Sequence, residues 1–106
     1  MLTDEAAEKA QHFLLENAKK AGDLRGERIY CEEMRKSLKA ILMNDAPEGP
    51  VGMKEAYAYS HPRYQEHLTK LKEAVGLDEE NRARREAALM RIEVWRSQSA
   101  NVRGKL

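Results

Sequence analysis

Three histidines, one cysteine and 18 acidic side chains are the groups in this 106-residue chain that could carry chemistry. Their spacing gives them little to do. His61 and His67 stand six residues apart, whereas two metal ligands on one helical face need a separation of four. Cys31 is distant from both, and His12 is the third histidine, so no metal site is expected. His67 lies one position off an apolar stripe and reads as a solvated or edge residue. Glu32-Glu33 and Asp78-Glu79-Glu80 are charge runs on amphipathic helix. Nothing around them forms the apolar pocket that raises a carboxyl pKa for acid/base work. No glycine-rich phosphate loop is present, and no Ser or Cys sits in a nucleophile motif. The expectation is a protein that is not an enzyme, with no catalytic residue and no cofactor.

The basic residues carry more signal. Residues 81–106 hold Arg82, Arg84, Arg85, Arg91, Arg96, Arg103 and Lys105 against only Glu86 and Glu93, a net charge of about +5. Arg84, Arg91 and Arg96 could line one flank with Trp95 nearby, and arginine beside an aromatic ring suits a phosphate backbone and a stacked base. Arg82, Arg84, Arg85, Arg91, Trp95, Arg96 and Arg103 are therefore candidate nucleic-acid contacts. The competing reading is a solvated face that answers Asp78-Glu79-Glu80 of the same chain or of a partner. Three of the four tyrosines, Tyr57, Tyr59 and Tyr64, fall within eight residues. Either they cover the open end of a helical hairpin, or they form a partner contact, since Tyr is enriched in interfaces.

The elements that must position these groups are two long helices. Ser60 precedes His61-Pro62, and Pro is accepted in a first helical turn, so Ser60 is the expected N-cap of a helix over about 60–98. Tyr64, Leu68, Leu71 and Val75 mark one face. The stripe thins from Asp78 to Arg85 and resumes at Ala87, Met90 and Val94, with Leu89 and Ile92 alongside. Gly76 is the weak point: the helix either runs through it for about 60 Å or breaks, with Leu77-Asp78 starting anew. A first helix over about 4–44 is capped by Thr3 or Asp4 and carries Ala6, Ala10, Phe13, Leu14, Ala21 and Leu24 at helical spacing. Gly22 and Gly26 loosen it or kink it. Leu24, Cys31 and Leu38 are seven apart, as are Met34 and Ile41, a short coiled-coil seam. Glu32 and Lys36 form an i,i+4 pair. Two of the three prolines and two of the six glycines fall at 47–52, making 45–59 the linker, with a helical turn or irregular chain from Met53 to Tyr59. Residues 99–106 should fray into a polar, basic tail.

Charged residues make up 35% of the chain and aromatics 6%, a composition that suits long helices and coiled coils. The net charge of +1 gives no overall bias toward nucleic acid or membrane. No apolar run approaches the ~20 residues that span a bilayer, and the acidic start lacks a signal-peptide core. A cytoplasmic protein, with no membrane partner, is expected. Cys31 has no second cysteine to pair with in the chain, and Tyr30 and Met34 beside it suggest a small buried apolar residue. A symmetric interchain disulfide is the alternative, disfavoured in a reducing cytosol. The fold class is all-α: one domain over 1–106, an antiparallel, coiled-coil-like helical hairpin. One hairpin buries a single stripe per helix, which is thin support for this length. Phe13, Leu14, Ile29, Leu42, Leu89 and Trp95 are left over, so a homodimer forming a helical bundle is expected. The alternative is that a different protein supplies the missing half.

Three segments also carry a resemblance: Glu27 to Met43, Tyr64 to Leu68 with Leu71 to Val75, and Arg91 to Gln98. Together they resemble a group of small uncharacterised proteins of tailed phages and prophages, whose genes tend to sit among recombination and replication functions. The resemblance implies an accessory role in DNA metabolism and assigns no catalytic residue. On that basis the chain is expected to act through protein–protein interaction with a phage or host DNA-processing protein. Direct DNA or RNA binding through the basic C-terminal helix is the alternative, and a virion structural or assembly role is a third reading.

Overall fold

In the computed structural model, which describes residues 1–104, the chain is three helices: α1 (Asp4–Asp45), α2 (Val51–Ser60) and α3 (Pro62–Gly104). α1 and α3 pack antiparallel, the all-α hairpin that the sequence predicts. Thr3 starts α1. Its Oγ1 accepts from the Ala6 N–H at 3.1 Å, and its carbonyl takes the first helical bond, from Ala7, at 3.1 Å. Asp4 and Glu5 then stand in the first turn, at the positive end of the helix dipole.

The stretch expected to be a linker is mostly helix. Only Ala46–Pro50 is irregular, and α2 follows. Pro50 is extended, and its carbonyl accepts from the N–H groups of Met53 and Lys54 at 3.1 and 3.2 Å, which starts the helix without a side-chain cap. Burial then holds α2 in place, because Ala58 is fully enclosed.

Ser60 is the last residue of α2 rather than the N-cap of α3. Its hydroxyl donates back to the carbonyls of Ala56 and Tyr57 at 2.8 and 3.3 Å. His61 makes the joint. Pro62 drives the residue before it out of the helical region, and His61 is accordingly extended (φ −66, ψ 136). Its N–H closes α2 on the Ala58 carbonyl, while its Nδ1 accepts from the Arg63 N–H at 3.1 Å and its carbonyl from Tyr64 and Gln65. A single residue thus ends one helix and caps the next.

α3 passes Gly76 without a break, and α1 passes Gly22 and Gly26 likewise. α3 also continues to Gly104 where fraying was expected; Lys105 and Leu106 of that tail lie outside the described residues. No helix among the described residues is long and apolar enough to cross a membrane.

The chain divides into two compact units: Met1–Asp23 with Glu79–Leu106, and Leu24–Asp78. In the first, Ala10, Ala88 and Ile92 form the core, with Phe13 and Leu14 packed on it. In the second, Leu38, Leu42, Ala58 and Tyr64 do so, with Met43 and Leu68 against them. Leu42, expected to be left over for a partner, is 1% exposed within its own chain. The seam of α1 includes Cys31 and Leu38 as the sequence suggests, but Ile41 faces solvent; Ile29, expected to be left over, does so too.

The seam of α3 is offset from the expected one. Its inward residues include Tyr64, Asp78 and Ile92 at multiples of seven, and Ala74, Asn81 and Ala88 likewise. Ala87, Met90 and Val94, read as the resumed core stripe, are exposed.

None of the glycines needs a positive φ, and a Cβ added at Gly76 would meet nothing within 4 Å. Gly76→Ala is therefore expected to raise stability by about 0.5–1 kcal/mol, read as a higher urea midpoint. A fall would mean that α3 requires the glycine.

Candidate interaction surfaces

Polar side chains interrupt the seam, and they decide which charged residues remain for function. In the first unit, Asn17 and Asn81 exchange amide hydrogen bonds, Nδ2 to Oδ1, at 2.9 and 3.1 Å. Arg85 Nη1 adds bonds to Asn17 Oδ1 at 3.0 Å and to the Leu14 carbonyl at 3.1 Å. Asn81 is 5% exposed, and among the described residues no buried side-chain polar atom lacks a partner. Arg85, a candidate nucleic-acid contact, is thus half-buried, with its Nη1 committed to the opposite helix.

In the second unit, Asp78 is 4% exposed and its Oδ2 accepts from Arg28 Nη1 at 3.2 Å; Arg28 Nε donates to Glu32 at 3.2 Å. Glu32 therefore turns to Arg28, and Lys36 pairs with Glu33 at 3.3 Å rather than with Glu32. His67 is the edge residue of the two readings, not the solvated one. It is half-buried, and its Nε2 donates to the Cys31 carbonyl across the helices at 2.7 Å. Cys31 is buried and its thiol donates to Glu27 Oε1 at 3.5 Å. Burial pushes the thiol pKa up, and the Glu27 carboxylate pushes it the same way. Among the described residues no three His, Cys, Asp or Glu side chains stand together in a way that could hold a metal ion.

The remaining C-terminal candidates sort by partner. Arg82, Arg84 and Arg96 pair with Glu79, Glu80 and Glu93 of the same helix at 3.3, 2.9 and 3.2 Å. These are exposed pairs, worth at most about 1 kcal/mol, and they can exchange partners. Trp95 is half-buried and its Nε1–H donates to Asp4 Oδ1 at 2.7 Å, so its ring is held by α1. Arg91 and Arg103 are exposed, and Arg91 makes no ion pair among the described residues. Arg84 and Arg91 do share an edge: with Lys9 they surround a groove floored by Phe13, Ala87 and Ala88.

The three tyrosines split. Tyr64 belongs to the core and, at 7% exposed, offers a partner little surface. Tyr57 is half-buried, its ring 5.7 Å from that of His61. Tyr59 is 43% exposed, set edge-on to Tyr64 at 5.4 Å, with Lys39 Nζ 4.8 Å from its ring centroid. Val51 and Met53 also stand in solvent on α2. Sequence reasoning missed both, and only the helical spacing of 51–60 could have flagged them. It also missed that Ala83, Ala87, Met90 and Val94 form an outward stripe.

The Asn17–Asn81 pair gives a test of the seam. Asn17→Ala leaves Asn81 and Arg85 without their acceptor and should cost about 1–3 kcal/mol. Asn17→Leu with Asn81→Leu should cost far less than the sum of Asn17→Leu and Asn81→Leu made singly. Additive losses in denaturant unfolding would mean that the amides do not act as a unit.

Compared with family models, curated proteins and solved structures, the chain matches none.

Proposed function

We infer that this chain works without catalysis, as an accessory factor that binds a DNA-processing protein of a phage or its host. The observation that carries the reading is the number of apolar side chains that α2 leaves in solvent. Val51, Met53 and Tyr59 stand in solvent on a ten-residue helix, with Tyr57 half-exposed beside them. Single exposed apolar side chains are ordinary on any protein. Met53 and Tyr57, four residues apart, share one side of the helix and Tyr59 stands on another; long and aromatic side chains of this kind are the anchors that interfaces use. Lys39 and the Tyr64 ring hold the Tyr59 side chain in place, so little of its freedom is left to lose on binding. The DNA-metabolism context rests on the resemblance carried by Glu27 to Met43, Tyr64 to Leu68 with Leu71 to Val75, and Arg91 to Gln98.

Tagged protein should capture its partner from infected-host lysate with nuclease present. Met53→Ser with Tyr59→Ser should lose that partner at unchanged helix content by circular dichroism. Undiminished capture by the double variant would refute the assignment of α2.

A second reading, direct binding of DNA or RNA, draws support from the edge of Lys9, Arg84 and Arg91 around Phe13. If it holds, charge reversal at Arg84, Arg91 and Arg96 abolishes retention of a labelled oligonucleotide at low salt, and wild-type binding falls steeply as salt rises. Retention by the triple variant would end this reading.

A further inference from the structure

The outward stripe of α3 is not explained by the α2 surface, and it has a pattern of its own. Ala83, Ala87, Met90 and Val94 follow at spacings of four, three and four, one face of the helix. All four are exposed, Met90 at 67% and Val94 at 44%. At 100° per residue they lie opposite Asn81, Arg85, Ala88 and Ile92, which face α1. The helix therefore carries two seams, one occupied and one bare.

We propose that the bare seam is a self-association face, on which a second copy of this chain lays its own α3 in parallel. The charges beside the stripe argue for this occupant and this direction. Glu79, Glu86 and Glu93 flank one side at intervals of seven, and Arg84 and Arg91 flank the other, also seven apart. In heptad terms the stripe supplies the a and d positions, the glutamates the g positions and the arginines the e positions. In a parallel pair each g residue faces the e residue five positions on in the other helix. Glu86 then meets Arg91 of the second copy, and Glu79 meets Arg84, twice each by symmetry. An antiparallel pair would set glutamate against glutamate and arginine against arginine. The face is thus complementary to itself in one orientation, as an interface about a two-fold axis requires.

Two details fit the same occupant. Glu86 and Arg91 make no ion pair within the chain among the described residues, and the pairs of Arg84 and Arg96 are exposed and exchangeable. The arginine side borders the groove floored by Phe13, while the glutamate side carries the exposed Leu89. Parallel pairing brings the side with a spare apolar side chain to the side with an apolar groove. This face is separate from α2, and the inference does not depend on the function assigned there.

The test is a charge swap read by sedimentation equilibrium over a range of protein concentrations, without nucleic acid. Wild-type protein should move from monomer to dimer. Arg91→Glu and Glu86→Arg should each weaken the dimer at least tenfold, since each creates two like-charge contacts. The double variant Glu86→Arg/Arg91→Glu should recover it, and so should an equimolar mixture of the two single variants, as a heterodimer. Orientation is read separately: with Cys31→Ser in place, Val94→Cys should form an interchain disulfide on mild oxidation, because residue 94 meets itself only in a parallel, in-register pair. A wild-type chain that stays monomeric at every concentration would overturn the proposal and leave the face to a different protein. Single variants that dimerise like wild type, or a dimer that does not crosslink at position 94, would overturn it equally.

Discussion

Everything in this fold depends on satisfying polar side chains in a seam only one residue deep. A hairpin of two helices has no second layer in which to hide an unpaired amide or charge, and an unbonded buried polar group costs on the order of 1–3 kcal/mol. The chain places Asn17, Asn81 and Asp78 in that seam, and each finds its partner on the opposite helix. The cost of burial thereby becomes a source of alignment. If α3 slid by one heptad in either direction, Asn17 would face Ala74 or Ala88 and its amide would be stranded. A polar residue in a coiled-coil seam fixes register in this way. The alanines around it, Ala7, Ala10, Ala74 and Ala88, could not, because one alanine packs much like another.

Much of the architecture was legible because long helices advertise themselves. Thr3 before an acidic turn, Pro62 at a helix start and the seven-residue spacing of Cys31 and Leu38 all mean in the structure what they mean in the sequence. The failures have physical causes. Pro50 and Gly52 read as linker because local propensity opposes a helix there, and α2 forms through a tertiary contact, the enclosure of Ala58, which no local pattern encodes. Ser60 looked like the cap because its hydroxyl suits the role, but the restriction before Pro62 moves the joint by one residue, to His61.

The inner seam of α3 was hidden for a different reason. Its middle is Asp78, Asn81 and Arg85, so a search for apolar residues loses the inner face there and resumes on the outer one at Ala87, Met90 and Val94. Counting sevens onward from Tyr64 would have kept the register: Leu71, Asp78, Arg85, Ile92. The same substitution of pattern for place affects the charges. The basic surplus of the C-terminal quarter is real as composition, yet Arg85 bonds Asn17, three arginines answer glutamates of their own helix, and Trp95 is tied to Asp4. Surface chemistry is set by what remains after such pairings, and here that is an edge rather than a face.

Cys31 gives the second unit a built-in clock. Its sulfur is enclosed, it is the only thiol in the chain, and both burial and the neighbouring Glu27 disfavour the thiolate that an alkylating reagent needs. Reaction is therefore slow while the residue stays buried, and speeds up whenever the helices around it part. The rate at which a soluble reagent consumes the thiol counts those partings directly and converts them into an opening free energy for this one region, with no label added and no residue changed.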